Sequence, residues 1–339
     1  LPDDIGRECL LRVPLRSHSD MAAVCKRWKN TVKNPIFYQD RKKLGFSQHL
    51  IIVVDEANPT SLCESGYRLS IYDPLQNSRQ ILRSVPTEFQ HYSYNSYCVS
   101  VNHKLIVMGL IKEAKEMVFV YDFSSGRWNR GADHLPHRNY FCCSVDCEKG
   151  LIYVAGGRDK DNKELRKEAS VYNVEENSWE LLPSMTWGVD STNYNSGFID
   201  GKLLLVCMWS GRLQIYDTKT SVWKALNACA LRHCGLCMAA FSGLIHYFEW
   251  EAEVIEYNIV ENQWRVAGTV PDNLRIDGHA VVWRDKIFVW GLDDGNSEKL
   301  LFYLFEPSRP EEHFQAAKPD KWTPINAENW IFSLAALEI

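Results

Sequence analysis

Cys234-Gly235-Leu236-Cys237, with Cys229 and His233 nearby, is the spacing in this 339-residue chain that could hold a metal ion or cycle as a redox pair. No second paired-cysteine motif accompanies it. Cys237 opens an apolar stretch, and Cys142, Cys143 and Cys207 fall in similar places, so these thiols read as small core residues. His91, Tyr92, Tyr94, His137, Tyr140, His233 and Cys234 are types that ligate metals or move protons, but no interval selects them as a set. They read as surface or recognition residues, and the expectation is no metal, no cofactor and no catalytic group. The 11 cysteines, an odd count without a secretory signal, predict a reducing compartment, the cytoplasm or nucleus. No apolar run approaches the roughly 18 residues of a membrane span.

What must position such residues is a repeat. Tyr is followed by Trp seven residues later at Tyr121/Trp128, Tyr172/Trp179, Tyr216/Trp223 and Tyr257/Trp264, and successive Tyr residues lie 51, 44 and 41 positions apart. That period suits a four-stranded propeller blade. Asp122, Asn173, Asp217 and Asn258 follow each Tyr directly, and Gly126, Asn177, Ser221 and Asn262 come five positions after it, which predicts a tight hairpin with a left-handed residue. Tyr72 with Arg79 and Phe305 with Trp322 are two altered copies. Short apolar runs at 50–54, 105–108, 151–155, 203–207, 244–248 and 287–290 read as strands buried on both faces. Six units result. The first lacks an inner strand, which residues 331–337 can supply, closing the ring and removing its edges.

These residues resemble kelch repeats, in which a glycine doublet ends the second strand and Tyr and Trp mark the third and fourth. Only Gly156-Gly157 keeps the doublet whole. The resemblance covers residues 49–339 and implies a six-bladed kelch β-propeller closed by the C-terminal strand.

Residues 1–48 follow a helical rule. Pro2, Asp3 and Asp4 suit a first turn, and Ile5, Cys9, Leu10 and Val13 share a face before Pro14. Met21, Val24, Trp28 and Val32 predict a second helix capped by Ser19, and 36–44 a third. Leu1-Pro2-Asp3-Asp4, then Leu10-Leu11-Arg12-Val13-Pro14, then Val24-Cys25-Lys26-Arg27-Trp28 and then Pro35-Ile36-Phe37 resemble the ordered landmarks of an F-box, a small all-α domain of three helices. Leu1 carries the first landmark without an initiator Met, so we expect the natural N-terminus to extend further.

The combined resemblance implies a non-catalytic substrate receptor of an SCF ubiquitin ligase. Its F-box docks a Skp-type adaptor and, through it, a cullin, while the propeller holds a target protein for ubiquitination and proteasomal degradation. Leu1, Pro2, Ile5, Leu10, Leu11, Val13, Pro14, Val24, Cys25 and Trp28 would meet the adaptor. The run 1–14 is most similar to a plant group whose targets include phenylpropanoid enzymes such as phenylalanine ammonia-lyase, or hormone-response regulators. A non-degradative scaffold and a small-molecule co-receptor stand as alternatives, and the copper oxidases and glycosidases among propellers supply a less favoured enzymatic one.

Residues 1–48 carry ten Lys/Arg and five Asp/Glu, a net of +5, and the remainder carries 28 against 38, a net of −10. The basic helices read as a solvated or adaptor-facing surface, and the acidic propeller argues against nucleic acid as cargo. Target contacts belong on loops leaving second strands and joining blades, which vary without disturbing the strands. Arg138, Tyr140, Arg158, Trp187, Tyr194, Trp209, Arg232, Trp250, Asp277 and Trp330 are the expected contacts, because Tyr, Trp and Arg dominate interface hot spots. Arg138 serves equally as a structural Pro-Arg element, and Trp209 and Trp250 as fillers of the central channel.

Overall fold

Four short helices open the chain: α1 (Asp3–Leu11), α2 (His18–Val24), α3 (Lys26–Val32) and α4 (Pro35–Lys43). A computed structural model describes residues 3–56, 67–82, 86, 96–111, 115–133, 138–159, 164–192, 194–208, 212–226, 235–249, 253–307, 322–325 and 333–339. The single second helix expected from Met21, Val24, Trp28 and Val32 is broken at Cys25, whose backbone is extended at φ −160° and ψ 163°. The Cys25 sulfur caps the new start by accepting from Trp28 N at 3.5 Å. Ser19 does not cap; it lies inside α2, and the residue before that helix, Ser17, makes no side-chain cap. Asn34 caps α4 through its Oδ1, with Pro35 at the first helical position.

Twenty-four strands follow among the described residues, in six four-stranded antiparallel sheets. The first blade is β1 (His49–Glu56), β2 (Tyr67–Asp73) and β3 (Ser78–Ile81), and the second β4 (Ser96–Val101), β5 (Lys104–Ile111), β6 (Lys115–Asp122) and β7 (Arg127–Arg130). The third is β8 (Cys142–Asp146), β9 (Leu151–Ala155), β10 (Ala169–Asn173) and β11 (Ser178–Leu182). The fourth is β12 (Tyr194–Ile199), β13 (Lys202–Cys207), β14 (Leu213–Asp217) and β15 (Val222–Leu226). The fifth is β16 (Gly235–Phe241), β17 (Leu244–Glu249), β18 (Glu253–Asn258) and β19 (Gln263–Thr269). The sixth is β20 (Leu274–Trp283), β21 (Lys286–Asp293), β22 (Asn296–Phe305) and β23 (Trp322–Ile325). The last strand, β24 (Ser333–Glu338), returns to the first blade and pairs with β1 from His49↔Glu338 to Val54↔Ser333. Neighbouring inner strands touch around the whole ring, from β24 through β4, β8, β12, β16 and β20 back to β24. The chain is therefore a helical segment followed by a closed six-bladed propeller.

The recurring interval has a local cause. In each hairpin the two aromatics face one another, as Tyr121↔Trp128, Tyr172↔Trp179, Tyr216↔Trp223, Tyr257↔Trp264 and Phe305↔Trp322. Arg79 takes the Trp place opposite Tyr72 and donates to Ser70 Oγ. Asn77, Gly126, Asn177, Ser221 and Asn262 are left-handed, with φ of 44°, 66°, 52°, 57° and 54°. The Trp side chains stitch blades together: the indole N–H of Trp179 donates to Ala132 O at 2.9 Å, that of Trp223 to Pro183 O and that of Trp322 to Thr269 O at 2.8 Å. Each accepting carbonyl lies on the preceding blade. Apolar layers fill the spaces between blades, and the layer between the first two continues into the helices through Leu10, Leu11, Met21, Val32, Phe37 and Tyr38.

The helices are mounted on one end of the propeller. Tyr38 donates to Phe123 O at 3.3 Å and stacks on His103 at 5.5 Å, and Arg16 reaches Gln76 at 2.9 Å. Gln48 and Ile339 exchange backbone hydrogen bonds at 2.5 and 2.9 Å. Lys42 pairs with Glu338 at 2.7 Å, and Ser47 donates to the same carboxylate. All these propeller residues sit on turns between first and second or third and fourth strands, or at the ends of β1 and β24 that share that side.

Candidate functional site

The opposite end, where second strands exit and blades are joined, carries a cluster built on the one intact glycine doublet. Gly156 and Gly157 are left-handed, at φ 67° and 96°. A side chain at Gly156 would strike Val189 O, and one at Gly157 would come within 2.7 Å of Asn139 O. Glycine alone permits this closeness. It lets Gly157 N donate to Val189 O at 2.7 Å, drawing the linker between the third and fourth blades against the exit of β9.

That linker presents the site. Asp190, fully buried, accepts from Arg158 Nε at 2.7 Å and from Thr192 N and Oγ1 at 3.0 and 2.6 Å. Arg158, only partly buried, is thus held as a rigid cation at the surface. Ser191 N donates to Tyr140 O at 2.7 Å, and Tyr140 is left-handed at φ 54°. Gln214, also fully buried, accepts from Thr186 N and Trp187 N at 3.0 and 3.3 Å and donates to Trp187 O at 3.1 Å. Arg212 lies over the Trp187 ring, 5.7 Å from its centre. Tyr194 N donates to Asp190 O, and burial pushes the Tyr194 phenol above its ordinary pKa, so it stays a neutral donor. Tyr140, Arg158, Trp187 and Tyr194, four of the expected target contacts, therefore meet at adjoining blades on hydrogen-bonded backbone. Such a cluster has the aromatic and guanidinium character of a protein-binding hot spot.

Other expectations fare differently. Arg138 is buried at 1% exposure and donates from one nitrogen to Gly156 O and Glu168 O, so it braces the doublet from beneath and cannot meet a target. Asp277, expected in a loop, falls inside β20, where the register shifts between Ile276 and Ala280 and an extended strand absorbs the extra residues. Trp209, Arg232, Trp250 and Trp330 lie outside the described residues, as do His91, Tyr92, Tyr94, His137, Cys229, His233 and Cys234. Cys237 is buried in β16 with its thiol pushed above its ordinary pKa by burial. Among the described residues, no group of His, Cys, Asp and Glu could hold a metal ion. Asp190, Gln214 and Arg212 were missed. A Gln between apolar residues in a run that should be buried was the available signal for Gln214.

At the helical end, Leu1 and Pro2 lie outside the described residues. Ile5 and Val24 are exposed at 48% and 63%, Cys25 is exposed, and Val13, Pro14 and Trp28 are half-buried. Leu10 and Leu11 are buried in the layer shared with the propeller, where they hold α1 in place. Ile36 and Leu44 add two exposed apolar side chains not foreseen as contacts. Among the described residues, no helix is long and apolar enough to cross a membrane.

Residues 1–40 match the F-box domain and residues 140–186 the Kelch motif. The F-box/kelch-repeat protein At2g44130 of Arabidopsis thaliana is 28% identical over 67% of this chain and 64% of its own length. F-box/kelch-repeat protein At1g80440 of the same plant is 28% identical over 80% of this chain and 81% of its own. A third, At1g15670, is 30% identical over 65% and 64%. The chain thus spans less than two thirds of two of these relatives. It carries an F-box domain and a kelch motif, and its curated relatives are plant F-box/kelch-repeat proteins.

Proposed function

We propose that this chain is the substrate-receiving subunit of an SCF ubiquitin ligase, joined to a cullin through a Skp-type adaptor on its helical end. A target protein binds the opposite end, at the Tyr140, Arg158, Trp187 and Tyr194 cluster, and is ubiquitinated for proteasomal degradation. The observation that carries this reading is the placement of the two ends. Exposed Ile5 and Val24 project from the helices at one end, and the hydrogen-bonded aromatic and arginine cluster occupies the other. The chain's contribution is proximity: it raises the effective concentration of acceptor lysines beside a charged ubiquitin carrier and changes no bond itself. The working compartment is the cytoplasm or nucleus, and the resemblance of residues 1–14 offers two target classes, a phenylpropanoid enzyme such as phenylalanine ammonia-lyase or a hormone-response regulator.

Two variants recovered from proteasome-inhibited plant cells test this. Val24→Asp with Ile5→Asp should lose adaptor and cullin while keeping target, and Trp187→Ala with Tyr194→Ala should do the reverse. If both variants keep the same partners as the natural chain, the two-ended receptor is wrong.

A further inference from the structure

In the fifth blade an ionic row crosses three strands at a place where the other blades are apolar. His246 of β17 lies opposite Glu256 of β18, and Glu256 lies opposite Arg265 of β19. The residue before the blade's Tyr or Phe is Ile71, Val120, Val171, Ile215 and Leu304 in the other five blades, and Glu256 here. His246 and Glu256 are fully buried. The imidazole sits among rings, its centre 6.2 Å from that of Phe305 in the sixth blade and 6.5 Å from that of Phe241. The row therefore stands in the layer between the fifth and sixth blades.

Stability does not account for it. Arg265 donates from Nε to Glu256 Oε2 at 2.8 Å, and its Nη2 lies 2.7 Å from the same carboxylate. The other oxygen, Oε1, is 3.1 Å from His246 Nε2, yet among the described residues neither that oxygen nor either ring nitrogen makes a well-aligned hydrogen bond. Burial pushes the pKa of Glu256 upward, but His246 and Arg265 outweigh this and hold it below the ordinary value, so the carboxylate stays charged. A buried charge cluster paired this incompletely gains little over an apolar row of the same size. What it does impose is alignment. Sliding β18 by two residues would set Glu256 against Leu244 or Phe248 of β17, and against Gln263 or Ala267 of β19. Sliding it by one would turn Glu256 into the layer facing the fourth blade. Either slip buries a carboxylate away from its cations, a cost that an apolar row does not carry.

We propose that His246, Glu256 and Arg265 form a register lock, which fixes the alignment of β17, β18 and β19 without a gain in stability and so selects one seating of the fifth blade against the sixth. The lock does not depend on the receptor reading, because it needs neither adaptor nor target. It also fixes where the strand ends Glu249 and Glu253 emerge, at the end of the propeller that carries Arg158.

The test grafts the matching row of the fourth blade, Leu204, Ile215 and Lys224, as His246→Leu with Glu256→Ile and Arg265→Lys in the full chain. The graft should melt at or above the parent temperature, while methyl NMR of Ile255 should show two signals where the parent shows one. Glu256→Gln alone should lower the melting temperature by about 5–10 °C, because it leaves His246 and Arg265 facing a neutral amide. If the graft does not fold, His246→Leu with Glu256→Ile replaces it, since Arg265 has a side chain 40% exposed and can turn to solvent. A replacement that melts as low as Glu256→Gln, or does not fold at all, would show that the row stabilises the blade. A single Ile255 signal in a stable replacement would show that the register needs no lock, and a parent-like melting curve for Glu256→Gln would show that the three groups are uncoupled. Any of these results overturns the proposal.

Discussion

Asn177 shows why the blade motif fixes a residue type five positions after Tyr. Its φ of 52° is tolerated best by Gly, Asn and Asp. Its Oδ1 also accepts from Tyr172 Oη at 2.6 Å and from Ala132 N at 2.6 Å, tying hairpin to preceding blade. Asn77 and Asn262 accept from Tyr72 and Tyr257 in the same way, at 3.0 and 2.8 Å. Asn177→Ala removes both bonds and strains the turn, which should lower stability by about 2–3 kcal/mol in denaturant unfolding. Asn177→Gly should cost less because it relieves the backbone alone; equal costs would show that the backbone conformation is irrelevant. His18 supplies a pH signature. It is buried, with its ring nitrogens 3.4 Å from Tyr38 Oη and 3.0 Å from Val13 O. Burial lowers its pKa to about 4, against the Val13 hydrogen bond and aided by nearby Arg41. The unfolded chain therefore binds more protons between pH 4 and 6.5, so stability is complete above 6.5 and falls as pH drops toward 4. The melting transition of the helices should weaken between pH 7 and 5, and His18→Gln should flatten that slope. An unchanged slope would assign the effect to His49 and His103, whose pKa values burial also lowers.

At the scale of elements, β24 bears more than its six residues suggest. It supplies the inner strand of the first blade, and its end holds Gln48 and Lys42 of the helical mount. Deleting residues 330–339 should open the ring, leave β1 with an unpaired edge and produce aggregates in gel filtration. A soluble monomer with the parent melting curve would mean that another strand closes the ring. This closure was legible in the sequence, because the first blade lacked a strand and 331–337 had an apolar run to give. The hairpins were legible for a similar reason: Tyr-to-Trp spacing is local, and strand pairing across a four-residue turn converts it directly into geometry. The break in the second helix was not. Met21, Val24, Trp28 and Val32 keep a helical spacing straight through Cys25, and the capping sulfur is too weak an acceptor to signal an end. The cluster at the opposite end was half legible. Tyr140, Arg158, Trp187 and Tyr194 stand out by type in loops, whereas Asp190 and Gln214 act from within the core, where sequence alone does not separate a brace from an exposed polar residue. Arg138 had both readings open in the sequence for the same reason, since a guanidinium at 1% exposure looks no different in sequence from one in solvent.

For the molecule as a whole, the decisive relation is that the helices lean on the propeller for their core. About 40 residues in four short helices bury too little surface to be stable alone. Their shared layer with the blades passes through Tyr38, which is buried at 4% exposure, stacks on His103 and donates to Phe123 O. Around it, Arg41 is buried and donates to Leu11 O and Val13 O at 2.6 Å, fixing α1 to α4. Glu338 adds a polar clamp. Burial pushes its carboxyl upward, but hydrogen bonds from Lys42 and Ser47 outweigh this and hold its pKa below the ordinary value. This clamp is therefore present above the ordinary glutamate range and weakens in acid. The propeller leans less on the helices, because its ring closes through β24 and, among the described residues, five of its interblade layers contain no helical residue. Tyr38→Ala removes an aromatic side chain from the joint, a change of about 3–5 kcal/mol for a buried ring. The expected outcome is uncoupling: the helices become sensitive to protease and a fragment beginning near residue 44 survives with a melting temperature close to that of the parent propeller. If helices and blades instead melt together at a lower temperature, they form one cooperative unit, and the proposed adaptor end would then be sensitive to what happens at the proposed target end.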